Sequence, residues 1–392
     1  MKTCHFHRCW AEIDLDALSH NWELISQLLP PHVKPMAVVK ANAYGLGAVP
    51  IVEKLKTLPQ VHGFCVANVE EGSEVRSVET EKPILVLGSP FEHEYPALFE
   101  NDLTTIVSSA DEVRLLAEYA QRYEKILKVH IKVDTGLGRM GVWYERAKDL
   151  YLLIQKIHFL QLTGIGTHFA ASGNNPDFTR LQRLRFIDTI TSFPHANLQK
   201  LCIHCDNSAG LASFENNGIF NSSRIGLLQY GIIPTDWNLP SLNALPLKPV
   251  FSLHTRLSLI KELPAGESIS YGRLYFLKKP TRIGIMAAGY ADGIALPMTN
   301  KGIVLIQGHR CPTIGRIAMD QVVIDLSEVP SARVGDPVTL VGKQNDSEIT
   351  LQEFSQNANS IPWQCICSLG RRVTHLYLDQ KKESLIGRKM LV

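Results

Sequence analysis

The stretch Met36-Ala37-Val38-Val39-Lys40-Ala41-Asn42-Ala43-Tyr44-Gly45-Leu46-Gly47 decides how this chain is read. Four apolar residues lead into a lysine, and a small-residue loop with two glycines follows. An unbroken apolar run of this length suits a strand buried on both faces, the habit of parallel sheets. The lysine at its tip must either snorkel to solvent or be used. A desolvated ammonium loses pKa and can serve as nucleophile or base. The choice depends on what stands at the ends of the neighbouring strands.

Seven further apolar runs share this pattern, at 64–67, 84–87, 104–107, 128–133, 162–168, 201–204 and 225–230. Amphipathic stretches separate several of them. Helices are expected at 14–29, 48–56, 111–124 (capped by Ser108 or Ser109) and 178–190, and Ser208 is placed to start another. Eight short strands alternating with helices give the expectation of an α/β fold, an N-terminal (β/α)8 TIM-like barrel. Prolines 234, 240, 246 and 249 then break the pattern and read as a linker. Beyond it lie strand-like runs at 251–260, 282–287, 302–306, 321–325 and 337–341, with no long helical pattern before about Thr350. The expected domains are therefore a barrel over 1–245 and a C-terminal mainly β domain over 246–392.

Side chains at the carboxyl ends of barrel strands make the active site of this architecture. Those ends carry Lys40 and Tyr44, then Lys132, Asp134 and Arg139, then His168, then His204, Asn207 and Ser208, with Arg224 and Tyr230 flanking the eighth strand. Each has a plain structural reading alone: a core histidine, a cap, a surface cation. Convergence on one rim favours a site, and its cationic character suits an anionic small molecule. Ser208 and the Gly226 loop offer backbone N–H groups for a phosphate. A reactive lysine beside a phosphate cradle suggests pyridoxal 5'-phosphate.

The bulk properties set limits. The 392-residue chain is 45% hydrophobic and 20% charged, ordinary for a globular protein. A formal charge of +2 and the lack of basic blocks argue against a nucleic-acid partner. The first ten residues have no apolar run, and no segment is apolar for long enough to span a bilayer, so no membrane partner and a cytoplasmic location are expected. Eight scattered cysteines are expected as reduced thiols. Strand alternation would split Cys4-His5-Phe6-His7-Arg8-Cys9 between two faces, Cys202-Ile203-His204-Cys205 lies in an apolar strand where cysteines pack as small hydrophobes, and Cys365-Ile366-Cys367 is spaced too closely for a zinc knuckle, so no metal is expected.

The segment from Ala37 to Gly45 resembles the cofactor-binding signature of the alanine racemases. So do Lys132 to Gly141, Thr167 to Ala170, His204 to Ala209, Arg224 to Gly226, Ser270-Tyr271-Gly272, Gly289 to Gly293 and Gly315 to Asp320. The resemblance runs from about Trp10 through both domains. It implies pyridoxal 5'-phosphate held on Lys40, which also acts as one acid/base. Tyr271 would be the other, supplied by the partner of a homodimer. Two different groups on opposite faces of the substrate Cα are what racemisation needs. Arg224 would face the cofactor ring nitrogen, and His168 would orient Tyr271 and help hold the cofactor. Tyr44, Asn207, Ser208, Gly226 and Leu227 would complete the cofactor site. Arg139 would bind the substrate carboxylate, supported by carbamylated Lys132. Met319, Asp320 and Tyr290 from the partner chain would shape the substrate end. The implied activity is interconversion of L- and D-alanine for peptidoglycan. The competing expectations are a racemase of broader specificity, taking serine for instance, an amino acid decarboxylase, and a non-catalytic cofactor-binding protein. Leu46, Ala318, Trp363-Gln364 and Arg371 depart from the common family pattern.

Overall fold

The computed structural model describes residues 7–213, 218–379 and 386–388. The chain divides into two compact units.

The first unit spans Ser19–Ala43 and Ala48–Leu247. Its eight parallel strands run in the order Arg224–Ile225, Met36–Val38, Phe64–Val66, Ile84–Val86, Thr104–Val107, Leu127–Asp134, Leu160–Gly166 and Cys202–His204. A bridge between His204 and Ser222 closes the ring, and the two-residue strand Val142–Trp143 hangs on Leu127–Asp134. Closure removes free strand edges. The expected (β/α)8 barrel is present. Its helices include Ala48–Leu55, Val69–Arg76, Ala110–Arg122 and Pro176–Thr191. Ser109 caps the third of these by accepting from the Glu112 N–H at 3.2 Å.

Gln229 knits strands eight and one together. Its Nε2 donates to Val38 O at 2.8 Å and Ile225 O at 3.0 Å, and Trp22 Nε1 donates to its Oε1 at 3.1 Å. The residue is fully buried, so each of these polar atoms must find such a partner.

One expectation about this unit is corrected. Ser208 does not start a helix. Strand seven is followed by the short 3-10 turn Gly210–Ser213, and the Ser208 hydroxyl instead accepts from Gly226 N–H at 3.0 Å and Leu228 N–H at 3.4 Å. A serine after a strand can be claimed by a distant loop as readily as by the next helix.

The second unit comprises the described residues of Met1–Leu18, Tyr44–Gly47 and Lys248–Val392. Six antiparallel strands close a ring: Phe251–Leu263, Thr281–Met286, Val322–Asp325, His309–Ile314, Ile303–Ile306 and Pro337–Gln344, the last pairing back to the first. Cys9–Asp14 then pairs antiparallel with Phe251–Leu263 and parallel with Thr374–Leu378. The N-terminal strand, expected within the barrel domain 1–245, thus belongs to the β unit. Pairing with partners as distant in sequence as Cys9 and Thr255 leaves no trace in local periodicity. No helix among the described residues is long and apolar enough to cross a membrane.

Candidate active site

Lys40 follows barrel strand one and is mostly buried. Burial first, and then the charge of Arg139, lower its pKa, with Glu71 opposing them. Lys132, on barrel strand five (Leu127–Asp134), is held well below the usual lysine range by burial, Arg224 and Arg139. Both amines are thereby biased toward the neutral, nucleophilic form.

Arg224 is 4% exposed and organises the barrel interior. Its Nη2 donates to Thr167 O at 2.7 Å and to Cys205 O at 3.2 Å, and lies 3.1 Å from His168 Nδ1. Its Nη1 donates to His204 Nδ1 and, at 3.2 Å, to His204 O. His204 Nε2 in turn lies 3.0 Å from His130 Nδ1. A guanidinium can only donate, so the tautomers follow in sequence. His168 and His204 accept at Nδ1 and carry their proton on Nε2, and His130 accepts at Nδ1 from His204. Burial and the Arg224 charge push all three imidazoles toward neutrality, His130 down to about 3.

Residues that strand-end reasoning missed support this array. His130 occupies the same strand face as Lys132, two positions away, and that alternation was a usable signal. Gln182, fully buried, donates to His168 O and to Thr135 Oγ1, both at 3.2 Å, and accepts from Ala170 N–H at 2.8 Å. It fixes the loop that carries His168. Nothing local marks a helical glutamine for this role. Asn207 Oδ1 accepts from Gly210 N–H and Ser172 Oγ, each at 2.9 Å. Arg139 lies exposed beyond the Asp134 turn, where the Asp134 carboxylate accepts from the N–H groups of Gly136, Leu137 and Gly138.

The potential ligand atoms of His130, Cys202 and His204 lie within 4.8 Å of one another. The two imidazoles spend their facing nitrogens on each other, and the neighbouring Arg224 repels a cation. Cys4 and His5 of the first cysteine cluster lie outside the described residues. The seven cysteines among the described residues are free thiols.

The backbone after Lys40 makes one left-handed turn. Ala41, Asn42, Ala43 and Tyr44 all have φ between 52° and 59°. Left-handed backbone costs a non-glycine residue roughly 1–2 kcal/mol, so such a run persists only where its surroundings dictate it. Next in the chain, within the β unit, His375 Nε2 donates to Gly45 O and Tyr377 Oη to Leu46 O, each at 2.9 Å. Leu46 is fully buried there, and a Cβ on Gly47 would collide with the Tyr377 hydroxyl.

The β unit gathers its own set. Tyr271 sits at the tip of a hairpin whose flanks, Ile269 and Leu277, are buried in a cluster with Ile283 and Ile314. Ser270 Oγ donates to Arg316 O at 2.7 Å. Tyr290 N–H donates to Ala318 O at 3.0 Å and Ala291 N–H to Met319 O at 3.1 Å. Arg372 clamps this region. It donates to both oxygens of buried Asp292, at 2.6 and 2.8 Å, and to Asp320 Oδ1 at 2.6 Å. Arg371, beside it, is exposed.

The barrel unit by itself carries two lysines of lowered pKa and a buried arginine at its strand ends, a cationic rim that suits an anionic small molecule. Comparison with known proteins makes the class specific. Residues 13–234 match the alanine racemase N-terminal domain family and residues 250–377 the C-terminal domain family. The chain belongs to the alanine racemase family and is an isomerase. It is 35% identical over 374 residues to the alanine racemase of Halothermothrix orenii, covering 95% of this chain and 97% of that one. It is 34% identical over 373 residues to that of a Nostoc species, covering 93% and 95%. The solved alanine racemase of Clostridium difficile superposes with a TM-score of 0.90 at 29% identity, covering 98% and 99%. That of Bacillus anthracis with bound L-Ala-P superposes with a TM-score of 0.87 at 30% identity, covering 97% and 98%.

Proposed function

We propose that this chain is a homodimeric, pyridoxal 5'-phosphate-dependent alanine racemase that supplies D-alanine for peptidoglycan, with Lys40 and Tyr271 as its two bases. The observation that carries the proposal is Lys40 itself, a mostly buried amine of lowered pKa on the barrel rim, faced by Arg139 and by the Arg224–histidine array.

The residues present fit the cofactor. Two backbone N–H groups, of Gly226 and Leu228, converge on the Ser208 hydroxyl, the donor chemistry a phosphate needs. With Tyr44, Asn207 and Leu227 they would hold the phosphate, and Lys40 would hold the aldehyde carbon. Arg224 is a fixed cation for the ring nitrogen, since its other donors are engaged by protein carbonyls and imidazoles. Bound there, the cofactor supplies electron withdrawal that acidifies the substrate Cα–H bond.

The chain's own residues then divide the work. Arg139 binds the substrate carboxylate, with Lys132, as its carbamate, supporting it. Lys40 Nζ, biased to neutrality, takes or returns the Cα proton on one face. Tyr271 Oη does so on the other, and its anion needs a donor nearby. His168 carries its proton on Nε2, which suits that donation. Tyr271 is 71% exposed, and Leu274 and Phe276 on the same hairpin are 53% and 50% exposed. Three large apolar side chains presented to solvent by one hairpin support its docking on a partner chain. Tyr290, Met319 and Asp320 would accompany it to the substrate end. Free thiols fit a reducing cytoplasm.

Incubating the purified protein with cofactor and L-alanine should yield D-alanine by chiral chromatography, and a cofactor-loaded protein that yields none overturns the proposal. Lys40→Ala should abolish the absorbance of protein-held cofactor. Tyr271→Phe should retain it and lose racemisation. A panel including L-serine separates alanine racemase from the broader alternative.

A further inference from the structure

The left-handed turn Ala41–Tyr44 stands apart from the rest of the backbone. Among the described residues, the other non-glycine positions with positive φ never adjoin one another, whereas these four are consecutive. Such backbone is dictated by what holds it. Within the barrel unit the bonds that hold it include three. Ala43 N–H donates to Val39 O at 2.8 Å, which only closes the turn on itself. Asn42 Oδ1 accepts from Ala48 N–H at 2.6 Å, a local tie. The third comes from outside the segment: Glu71 Oε1 accepts from Ala41 N–H at 2.8 Å.

Glu71 is well placed to impose a position. It lies in the first turn of the helix Val69–Arg76, and its own N–H donates to the Asn68 cap at 2.9 Å. Its second oxygen accepts from Ala67 N–H, just past barrel strand two, at 2.7 Å. One carboxylate therefore ties the ends of adjacent strands one and two. A carboxylate that served the helix alone would reach back to the helix start and stop there. This one spends an oxygen on the residue that follows Lys40. Charge-assisted bonds to backbone N–H groups are short and strong.

We propose that Glu71 is a positioning residue, whose carboxylate locks the left-handed turn and thereby aims Lys40 at the cofactor. The inference rests on the reading that Lys40 holds pyridoxal phosphate. Glu71 is also the largest influence raising the Lys40 pKa against burial and Arg139, so its charge reaches the same amine.

The test compares full-length wild-type protein with Glu71→Ala, Glu71→Gln and Asn68→Ala. Each apoprotein is titrated with pyridoxal phosphate by absorbance, melted thermally, and followed by amide hydrogen exchange over residues 37–46. Glu71→Ala should weaken cofactor binding about tenfold or more and speed exchange across the turn, since a charged acceptor of two N–H groups is lost. Glu71→Gln keeps one acceptor oxygen and should fall between. Asn68→Ala removes the helix cap, should lower the melting temperature, and should leave cofactor affinity and turn exchange as in the wild type. Unchanged affinity and exchange in Glu71→Ala overturn the proposal, as does an equal loss in Asn68→Ala. A wild-type protein that binds no cofactor overturns the functional reading instead, and the exchange comparison still decides the role of Glu71.

Discussion

Arg224 Nη2 stands 3.1 Å from His168 Nδ1, and that single contact sets where the imidazole keeps its proton. Because the guanidinium has no lone pair to offer, His168 must accept at Nδ1 and hold hydrogen at Nε2. The same donor imposes the same tautomer on His204, which passes it to His130. Arg224→Met should remove the charge that, after burial, most depresses His168 and His204. Their pKa values should rise while remaining below 6.5, because burial persists. Imidazole NMR titration of the variant checks this, and unshifted histidines would contradict the electrostatic account.

Acid should destabilise the fold through the buried imidazoles. His130 titrates near 6.5 when unfolded and at about 3 in the fold. Between those values the unfolded chain binds more protons, so stability rises with pH there and is lost as pH falls from about 6.5. His168 and His204, also depressed, act with the same sign. His130→Gln should flatten the dependence of melting temperature on pH between about pH 6.5 and pH 4. A slope as steep as that of the wild type would assign the acid sensitivity to other groups.

The loop Gly45–Gly47 depends on Tyr377. Tyr377→Phe deletes one buried donor to Leu46 O and should cost about 1–2 kcal/mol. Gly47→Ala should cost more, since φ is +97° and the new Cβ meets the Tyr377 hydroxyl. The double variant Gly47→Ala with Tyr377→Phe should recover part of that loss by relieving the clash. Chemical denaturation of the four proteins completes the cycle.

Arg372 is the clamp of the Tyr290–Asp320 region. Arg372→Met leaves Asp292, 2% exposed, without its cation. The expected loss is about 2–3 kcal/mol, below that for a fully buried pair because the arginine is half in solvent. Asp320 and Met319 O lose the same partner, so KM for alanine should rise more than kcat falls. Steady-state kinetics beside a thermal melt separates the two effects. Arg372→Lys, which cannot bridge both carboxylates in the same planar geometry, should rescue only in part.

Lys132 should react with carbon dioxide. Only a neutral amine does so, and burial with Arg224 and Arg139 biases Lys132 that way. The carbamate formed would be an anion facing those cations. Protein equilibrated with 13C-bicarbonate should show a carbamate carbon by NMR that is absent in Lys132→Met.

The sequence by itself determined the eight-strand rhythm of the barrel and the residue types at its rim. Apolar runs and strand alternation are local patterns imposed by burial, and Lys40, Lys132, His168 and Arg224 stand in or beside them. His130 was legible by the same alternation, two residues before Lys132. Tyr271, by contrast, was found only through family resemblance, since a tyrosine in a glycine-flanked turn carries no local signal of chemistry. Tertiary structure alone decided the rest. It placed the N-terminal strand in the β unit, gave the Ser208 hydroxyl to Gly226 rather than to a helix, and set the imidazole tautomers through Arg224. It also bent the four residues after Lys40 into a left-handed turn, a conformation that non-glycine residues, asparagine included, adopt singly rather than in runs. The stretch ending at Lys40 specifies its strand through hydrophobicity, a property of its own side chains. The turn beyond that strand is tied by a hydrogen bond to Glu71 in the barrel unit, and its continuation by His375 and Tyr377 in the β unit, partners tens to hundreds of positions away.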